Sequence, residues 1–199
     1  ALTRRPRRYG FHATLKAPFE PAGPDVEAAL LDSVEAFARR RSPFEVRFEV
    51  APLGDFMALR LAETSTAMKE LHWDCVRALD AHRAPISDAD VARRRKGRLT
   101  PEQDAFLLQW GYPYIFDQFR FHMTLTSRIA CRSSQEPIRA ALAELFAPHT
   151  ETPHLVEGIA LFGQVDRQAP FRVVEWFRFR GERHHDDARV PEAVAPIRS

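Results

Sequence analysis

Two stretches, Tyr9-Gly10-Phe11-His12-Ala13-Thr14-Leu15 and Phe119-Arg120-Phe121-His122-Met123-Thr124-Leu125, decide how this chain is read. They share Phe, His, Thr and Leu at matched positions, and an aromatic residue opens each. Side chains of an extended strand alternate between its faces. Phe11, Ala13 and Leu15 therefore share one face, as do Phe119, Phe121, Met123 and Leu125, and these apolar faces are expected to pack into a core. The opposite faces carry Gly10, His12, Thr14 and Lys16 in the first copy. In the second they carry Arg120, His122, Thr124, Thr126 and Arg128. Each copy thus presents a His two residues from a Thr on the polar side of an apolar-backed strand.

Outward from each copy the same order of elements recurs. After Leu15 comes a proline-broken loop, then a helix over residues 25–41, in which Val26, Ala29, Leu30, Ser33, Val34 and Phe37 recur at helical spacing. Phe44 to Val50 alternates strictly and predicts a half-buried strand, with Phe56 to Leu61 returning beside it after Gly54-Asp55. A second amphipathic helix is expected from Thr66 to about His82. The second copy continues as a strand to Ile129, a helix over Gln135 to Phe146 that Pro148 should end, and a hairpin of Leu155–Phe162 with Phe171–Phe179. The halves, about 7–82 and 116–180, read as an internal duplication within one two-lobed domain spanning 1–199. The connector, about 83–115, holds the basic run Arg93 to Arg98, expected as a solvated linker or short exposed helix. It also holds a helix opened by Thr100 and Pro101 and closed at Gly111. The tail, about 181–199, loses periodicity and is expected to be mobile.

Composition narrows the function. With 45% hydrophobic and 28% charged residues the chain is an ordinary folded protein, and its formal net charge of +2 gives no global field for a polyanion such as DNA. All but three of the bases (Lys16, Lys69 and Lys96) are Arg, whose planar donors suit phosphate. Two cysteines, Cys75 and Cys131, are too few for a disulfide framework and fit a reducing, cytoplasmic setting. No segment reaches the roughly 20 apolar residues of a membrane span, so no membrane partner is expected.

The paired His-x-Thr arrangement suits phosphoryl chemistry without a metal or other cofactor. A free imidazole titrates near ~6.5, so of two histidines one can act as base while the other acts as acid. In-line displacement at phosphorus needs one such group on the attacking oxygen and one on the leaving oxygen, from opposite sides. The hydroxyls of Thr14 and Thr124 can donate to the non-bridging oxygens, and Lys16, Arg120 or Arg128 can add positive charge. Tyr9, Tyr112 and Tyr114 stand where they could stack on a base or ribose, with rim packing as the alternative. One histidine per strand, with no Cys or carboxylate at ligand spacing, argues against a metal centre. Trp73 and Trp176 read as structural, and His72 and His82 as surface residues. His149, His154, His184 and His185 are assigned no role.

The longer strings Arg8 to Phe19 and Trp110-Gly111-Tyr112-Pro113-Tyr114 through Phe121-His122-Met123-Thr124-Leu125-Thr126 resemble the 2H phosphoesterase superfamily. Within it they resemble an uncharacterised bacterial branch encoded beside phosphonate-degradation genes. The resemblance covers about residues 7–179. It implies an α+β, bilobal, pseudo-two-fold fold, with two antiparallel sheets lining a central groove and helices outside. It also implies metal-independent opening or hydrolysis of a cyclic phosphodiester, with His12 and His122 as the acid/base pair and Thr14 and Thr124 on the phosphate. Members of that branch carry a strand ahead of the first motif, for which this chain begins too late, so either the N-terminus is trimmed or one sheet lacks an edge. The expected substrate is a small ribose or nucleoside cyclic phosphate, or an RNA end. Two rival readings are a non-catalytic nucleotide- or RNA-binding module using the same groove, and a scaffold in a multi-protein phosphonate pathway.

Overall fold

The computed structural model describes residues 2, 3, 6 and 10–180; Tyr9 and the 181–199 tail lie outside the described residues. Helix α1 (Val26–Arg39) turns Leu30, Val34, Phe37 and Ala38 inward, the face its spacing predicts. Helix α2 (Thr66–Ala78) starts where the Ser65 hydroxyl accepts the Met68 N–H and buries Met68, Leu71, Cys75 and Val76. These helices and the strands beside them form one core, with Leu15, Phe119 and Phe121 packed against it. Fully burying a Leu or Phe side chain, as at Leu30, Phe37 and Leu71, stabilises the fold by about 1.5–3 kcal/mol.

The strands are all antiparallel: β1 (Phe44–Val46), β2 (Phe48–Leu53), β3 (Phe56–Leu61), β4 (His122–Thr124), β5 (His154–Val156), β6 (Gly158–Gly163) and β7 (Arg172–Arg178). The fold is thus α+β, but the strands fall into three small sheets rather than two: β1 with β5, β2-β3-β4, and β6 with β7. The division comes at Arg47, where the run Phe44 to Val50 stops pairing with β5 and begins pairing with β3. The β1–β5 pair joins the two sequence halves directly.

Both motif strands are shorter than the alternation predicts. Around the first motif the pairing is a single bridge, Ala13 opposite Met123, beyond a left-handed Gly10 (φ 70°). The second strand ends at Thr124 because the N–H groups of Leu125 and Thr126 both donate to the Met57 carbonyl. The Thr126 hydroxyl accepts the Met57 N–H at 3.0 Å, a side-chain bond that competes with the ladder. Thr126 is buried there instead of facing a groove.

Helix α5 (Gln135–Thr150) lies on β2, its Ile138, Leu142 and Phe146 packed against the buried cluster of Val50, Met57, Leu59, Leu125 and Ile129. It runs past Pro148, because one missing N–H does not end a helix held by that packing. The connector holds α3 (Asp88–Arg95), opened by Ser87, and α4 (Pro101–Trp110), opened by a Thr100/Gln103 capping box and closed by left-handed Gly111 (φ 75°). The basic run is therefore mostly helix, exposed as expected but held by the Arg93–Asp90 and Arg95–Asp104 ion pairs. Trp176, read from the sequence as structural, is 70% exposed on β7. Among the described residues no helix is long and apolar enough to cross a membrane.

Candidate functional site

The Ala13–Met123 bridge sets the two motifs side by side and antiparallel, with β3 on the far side of β4. Continuing that register places His12 across from Thr124 and Thr14 across from His122, so each histidine faces the other motif's threonine. α5 and the core cover the opposite face, where Met123 and Leu125 pack as their parity predicts. Phe11 also turns that way, its ring stacked 6.3 Å from Phe146, although it remains 59% exposed.

The two histidines are held alike. His122 Nδ1 lies 2.7 Å from the Arg120 carbonyl, and His12 Nδ1 lies 3.3 Å from the Gly10 carbonyl, each two residues back along its own strand. A carbonyl only accepts, so Nδ1 carries the proton in both rings and Nε2 is the nitrogen this anchor does not engage. Each ring also lies beside one aromatic from a neighbouring hairpin: Phe162 of β6 is 5.3 Å from His12, and Phe56 of β3 is 6.0 Å from His122.

Register adds a residue that the sequence reading passed over. Arg60 of β3 pairs directly with His122, and Ala58 pairs with Thr124. Residues directly opposite share a face, so Arg60 branches from beside His122, with the small Ala58 next to it. Its guanidinium leans to the other side of β3, donating to the Pro52 carbonyl of β2 at 3.4 Å. The signal was present in Phe56-Met57-Ala58-Leu59-Arg60-Leu61, whose polar parity carries one Arg, but the pairing that gives it meaning is non-local.

A buried histidine behind the motifs ties them together. His72, only 1% exposed, is not the surface residue its helical phase predicts. Its Nδ1 donates to the Leu15 carbonyl at 2.7 Å, one residue past Thr14. Its Nε2 accepts the Phe116 N–H at 3.0 Å, and its ring stacks on Phe119 at 3.8 Å, on the approach to His122. Burial is the main cause that lowers its pKa to about 4, with Lys16 adding to it against the Leu15 hydrogen bond. His82 contacts the Ser33 hydroxyl and is likewise not a bare surface group.

The other expected ligands are placed elsewhere. Lys16 does not point with His12: its Nζ is drawn to the Val76 carbonyl at 3.2 Å and to Asp80 at 2.9 Å, where its side chain is 8% exposed. Burial pushes the Asp80 carboxyl up, but Arg83 and Lys16 outweigh it and hold the group below the ordinary carboxylate range. Arg83 also donates to the Gln109 carbonyl, so this cluster fastens the first motif's exit to the ends of α2 and α4. Arg128 pairs with Asp55 at 2.5 Å. The Arg120 side chain is exposed, and its carbonyl is what serves His122. Tyr112 and Tyr114 meet edge to face in the connector, and the Arg94 guanidinium lies 4.7 Å from the Tyr112 ring centre, so that face is taken. Among the described residues no three His, Cys, Asp or Glu side chains are grouped to hold a metal ion.

Fold and motif pair together define an α+β protein built around two antiparallel His-x-Thr segments. The chain belongs to the family described as "Protein of unknown function (DUF1045)", which it matches over residues 14–172. Two curated relatives, both named "Ribose 1,5-bisphosphate phosphokinase PhnN", are similar to it. That of Janthinobacterium sp. (strain Marseille) is 36% identical over 199 residues, covering 97% of this chain and 43% of the relative. That of Laribacter hongkongensis (strain HLHK9) is 36% identical over 167 residues, covering 83% of this chain and 38% of the relative. The chain thus spans less than half the length of either. A solved structure, the crystal structure of TT0787 of Thermus thermophilus, aligns with a TM-score of 0.44 at 21% identity, over 87% of this chain and 80% of that one.

Proposed function

We propose that the paired motif is the active site of a metal-independent phosphoesterase that opens or hydrolyses a cyclic phosphodiester. The observation that carries this reading is the matched anchoring of the two rings, Nδ1 to the residue i−2 carbonyl in both, on segments joined by one antiparallel bridge. The anchor works in both protonation states, since Nδ1–H donates to the carbonyl whether or not Nε2 is protonated.

In hydrolysis, neutral Nε2 of one histidine removes a proton from water as its oxygen attacks phosphorus. The protonated Nε2 of the other gives its proton to the departing ester oxygen. One P–O bond forms and one breaks, the ring opens to a phosphomonoester with a free hydroxyl, and solvent returns the two rings to their starting states. Thr14 and Thr124 steady the non-bridging oxygens, where removing one preorganised donor costs about 3 kcal/mol of transition-state stabilisation, and Arg60 joins them by swinging from the Pro52 carbonyl. Which histidine is base follows from the side on which the leaving oxygen binds.

The relatives' name describes phosphoryl transfer to a ribose phosphate, a different reaction on related chemistry. A phosphate-cradling Gly-x4-Gly followed by Lys and Ser or Thr does not occur in these 199 residues. Gly158 and Gly163 have the spacing, but Gln164-Val165 follows and the glycines lie in β6. We assign the phosphokinase name to the remaining length of those relatives, and a sugar-phosphate substrate, consistent with phosphonate metabolism, to this chain. The test is phosphorus NMR of nucleoside 2′,3′-cyclic phosphates and ribose 1,2-cyclic phosphate incubated with the protein in EDTA. Conversion to a monoester supports the assignment. Tight binding of the same esters without conversion favours a nucleotide-binding module instead.

A further inference from the structure

Beside His122, on the far side of Phe56, lies a cleft of about 640 Å³ that the mechanism above does not use. That volume is within the range of small-ligand sites, about 300–1,000 Å³. One wall is the β2–β3 turn with Asp55 and Phe56, and the other is the loop after β4 with Arg128, Arg132 and Gln135 at the start of α5. The two walls are tied, since the Ile129 N–H donates to the Asp55 carbonyl at 2.6 Å. Phe56 belongs to both spaces, lining the cleft while its ring sits 6.0 Å from that of His122.

The cleft is positively charged. Two guanidiniums meet one carboxylate, and the nearby Glu136 is engaged by Arg139 at 2.6 and 2.9 Å. Arg128 holds Asp55 at a position where its own side chain is 75% exposed, a screened pair that an incoming dianion displaces easily. The Arg132 side chain has no hydrogen-bond or ion-pair partner among the described residues. Planar guanidinium forks match the oxygens of a phosphate, and the Gln135 amide adds a neutral donor.

We propose that this cleft binds a second phosphate group of the substrate, a phosphomonoester carried on the same molecule as the cyclic diester, with Arg132 and Arg128 as its ligands. The inference rests on the phosphoesterase reading for where the cyclic ester lies, and it makes the preferred substrate doubly phosphorylated.

The test pairs kinetics with binding. Adenosine 2′,3′-cyclic phosphate is compared with its 5′-phosphorylated form as substrate. Adenosine 2′-monophosphate is compared with adenosine 2′,5′-bisphosphate by calorimetry. The second phosphate should raise kcat/KM and tighten binding by about tenfold in the wild type. Arg132→Ala should bring both ratios close to one, and Arg132→Lys should keep part of each. Equal binding of the two ligands by the wild type, no binding of either, or a preference that survives Arg132→Ala would overturn the subsite, whatever the turnover. A binding preference that depends on Arg132, with neither ester turned over, would uphold the subsite and sink the hydrolytic reading.

Discussion

Ala13 faces Met123 across an antiparallel bridge, and that one contact puts each motif histidine opposite the other motif's threonine. The middle residue of each His-x-Thr is small or flexible and turned to the apolar side. The polar pair on either side of it is thereby offered to one surface. His72 then fixes both segments from behind, through Leu15 on one and Phe116 on the other.

Replacing His72 should disturb both motifs at once. His72→Ala removes a buried ring and leaves the Leu15 carbonyl and the Phe116 N–H without partners, which should cost about 2–4 kcal/mol of stability at pH 7. His72→Gln supplies a donor and an acceptor and should recover part of that loss. Urea melts of the three proteins measure this, and equal midpoints would show that His72 tethers nothing.

The same residue sets an acid limit. Its folded pKa of about 4 lies below the unfolded value near 6.5, so between these limits the unfolded chain binds the proton and the folded chain does not. Stability from this group is fully present above pH 6.5 and declines as pH falls toward 4, by about 3 kcal/mol in all. Protonated Nε2 would confront the Phe116 N–H, donor against donor. Unfolding free energies at pH 7, 5.5 and 4.5 should fall more steeply for the wild type than for His72→Gln, and parallel curves would contradict the assignment.

Lys16 should behave as a structural residue. Lys16→Met leaves Asp80 with Arg83 alone and should lower stability by about 1–3 kcal/mol. The KM of the variant at a temperature where it is folded should match the wild type. A rise in KM of tenfold or more would return Lys16 to the phosphate, where strand parity alone had put it.

Arg60 should behave in the opposite way. It is partly exposed on the face it shares with His122, and its guanidinium is held only by a long 3.4 Å contact to the Pro52 carbonyl, from which it can swing to a bound phosphate. Arg60→Ala should therefore leave the melting temperature nearly unchanged while lowering kcat/KM by about 10–100-fold. Unaltered kinetics would remove Arg60 from the site.

Most of the candidate site is legible in the sequence because a strand's two-residue period is local. His12 with Thr14 and His122 with Thr124 needed only that period and the recurrence of one heptad. The helices were readable for the same reason, through the spacing of Leu30, Val34 and Phe37 and the caps at Thr100 and Gly111. What failed depended on partners distant in sequence. Parity assigned Lys16 to the groove, but Asp80 and the Val76 carbonyl draw its ammonium away. His72 looked like a surface residue until Leu15 and Phe116 closed over it. Thr126 kept the right parity for a longer strand, and its hydroxyl instead ended the strand on Met57. Arg60 enters the candidate site only through the β3–β4 register, and the three-sheet division depends on β1 leaving its own hairpin for β5.

The most direct test of the central claim is single-turnover hydrolysis of a cyclic phosphodiester in EDTA by wild type, His12→Ala and His122→Ala. Both substitutions should lower the rate by about 10²–10⁴-fold with the fold intact by circular dichroism. Full activity in either variant, or turnover that EDTA abolishes, would contradict two-histidine catalysis.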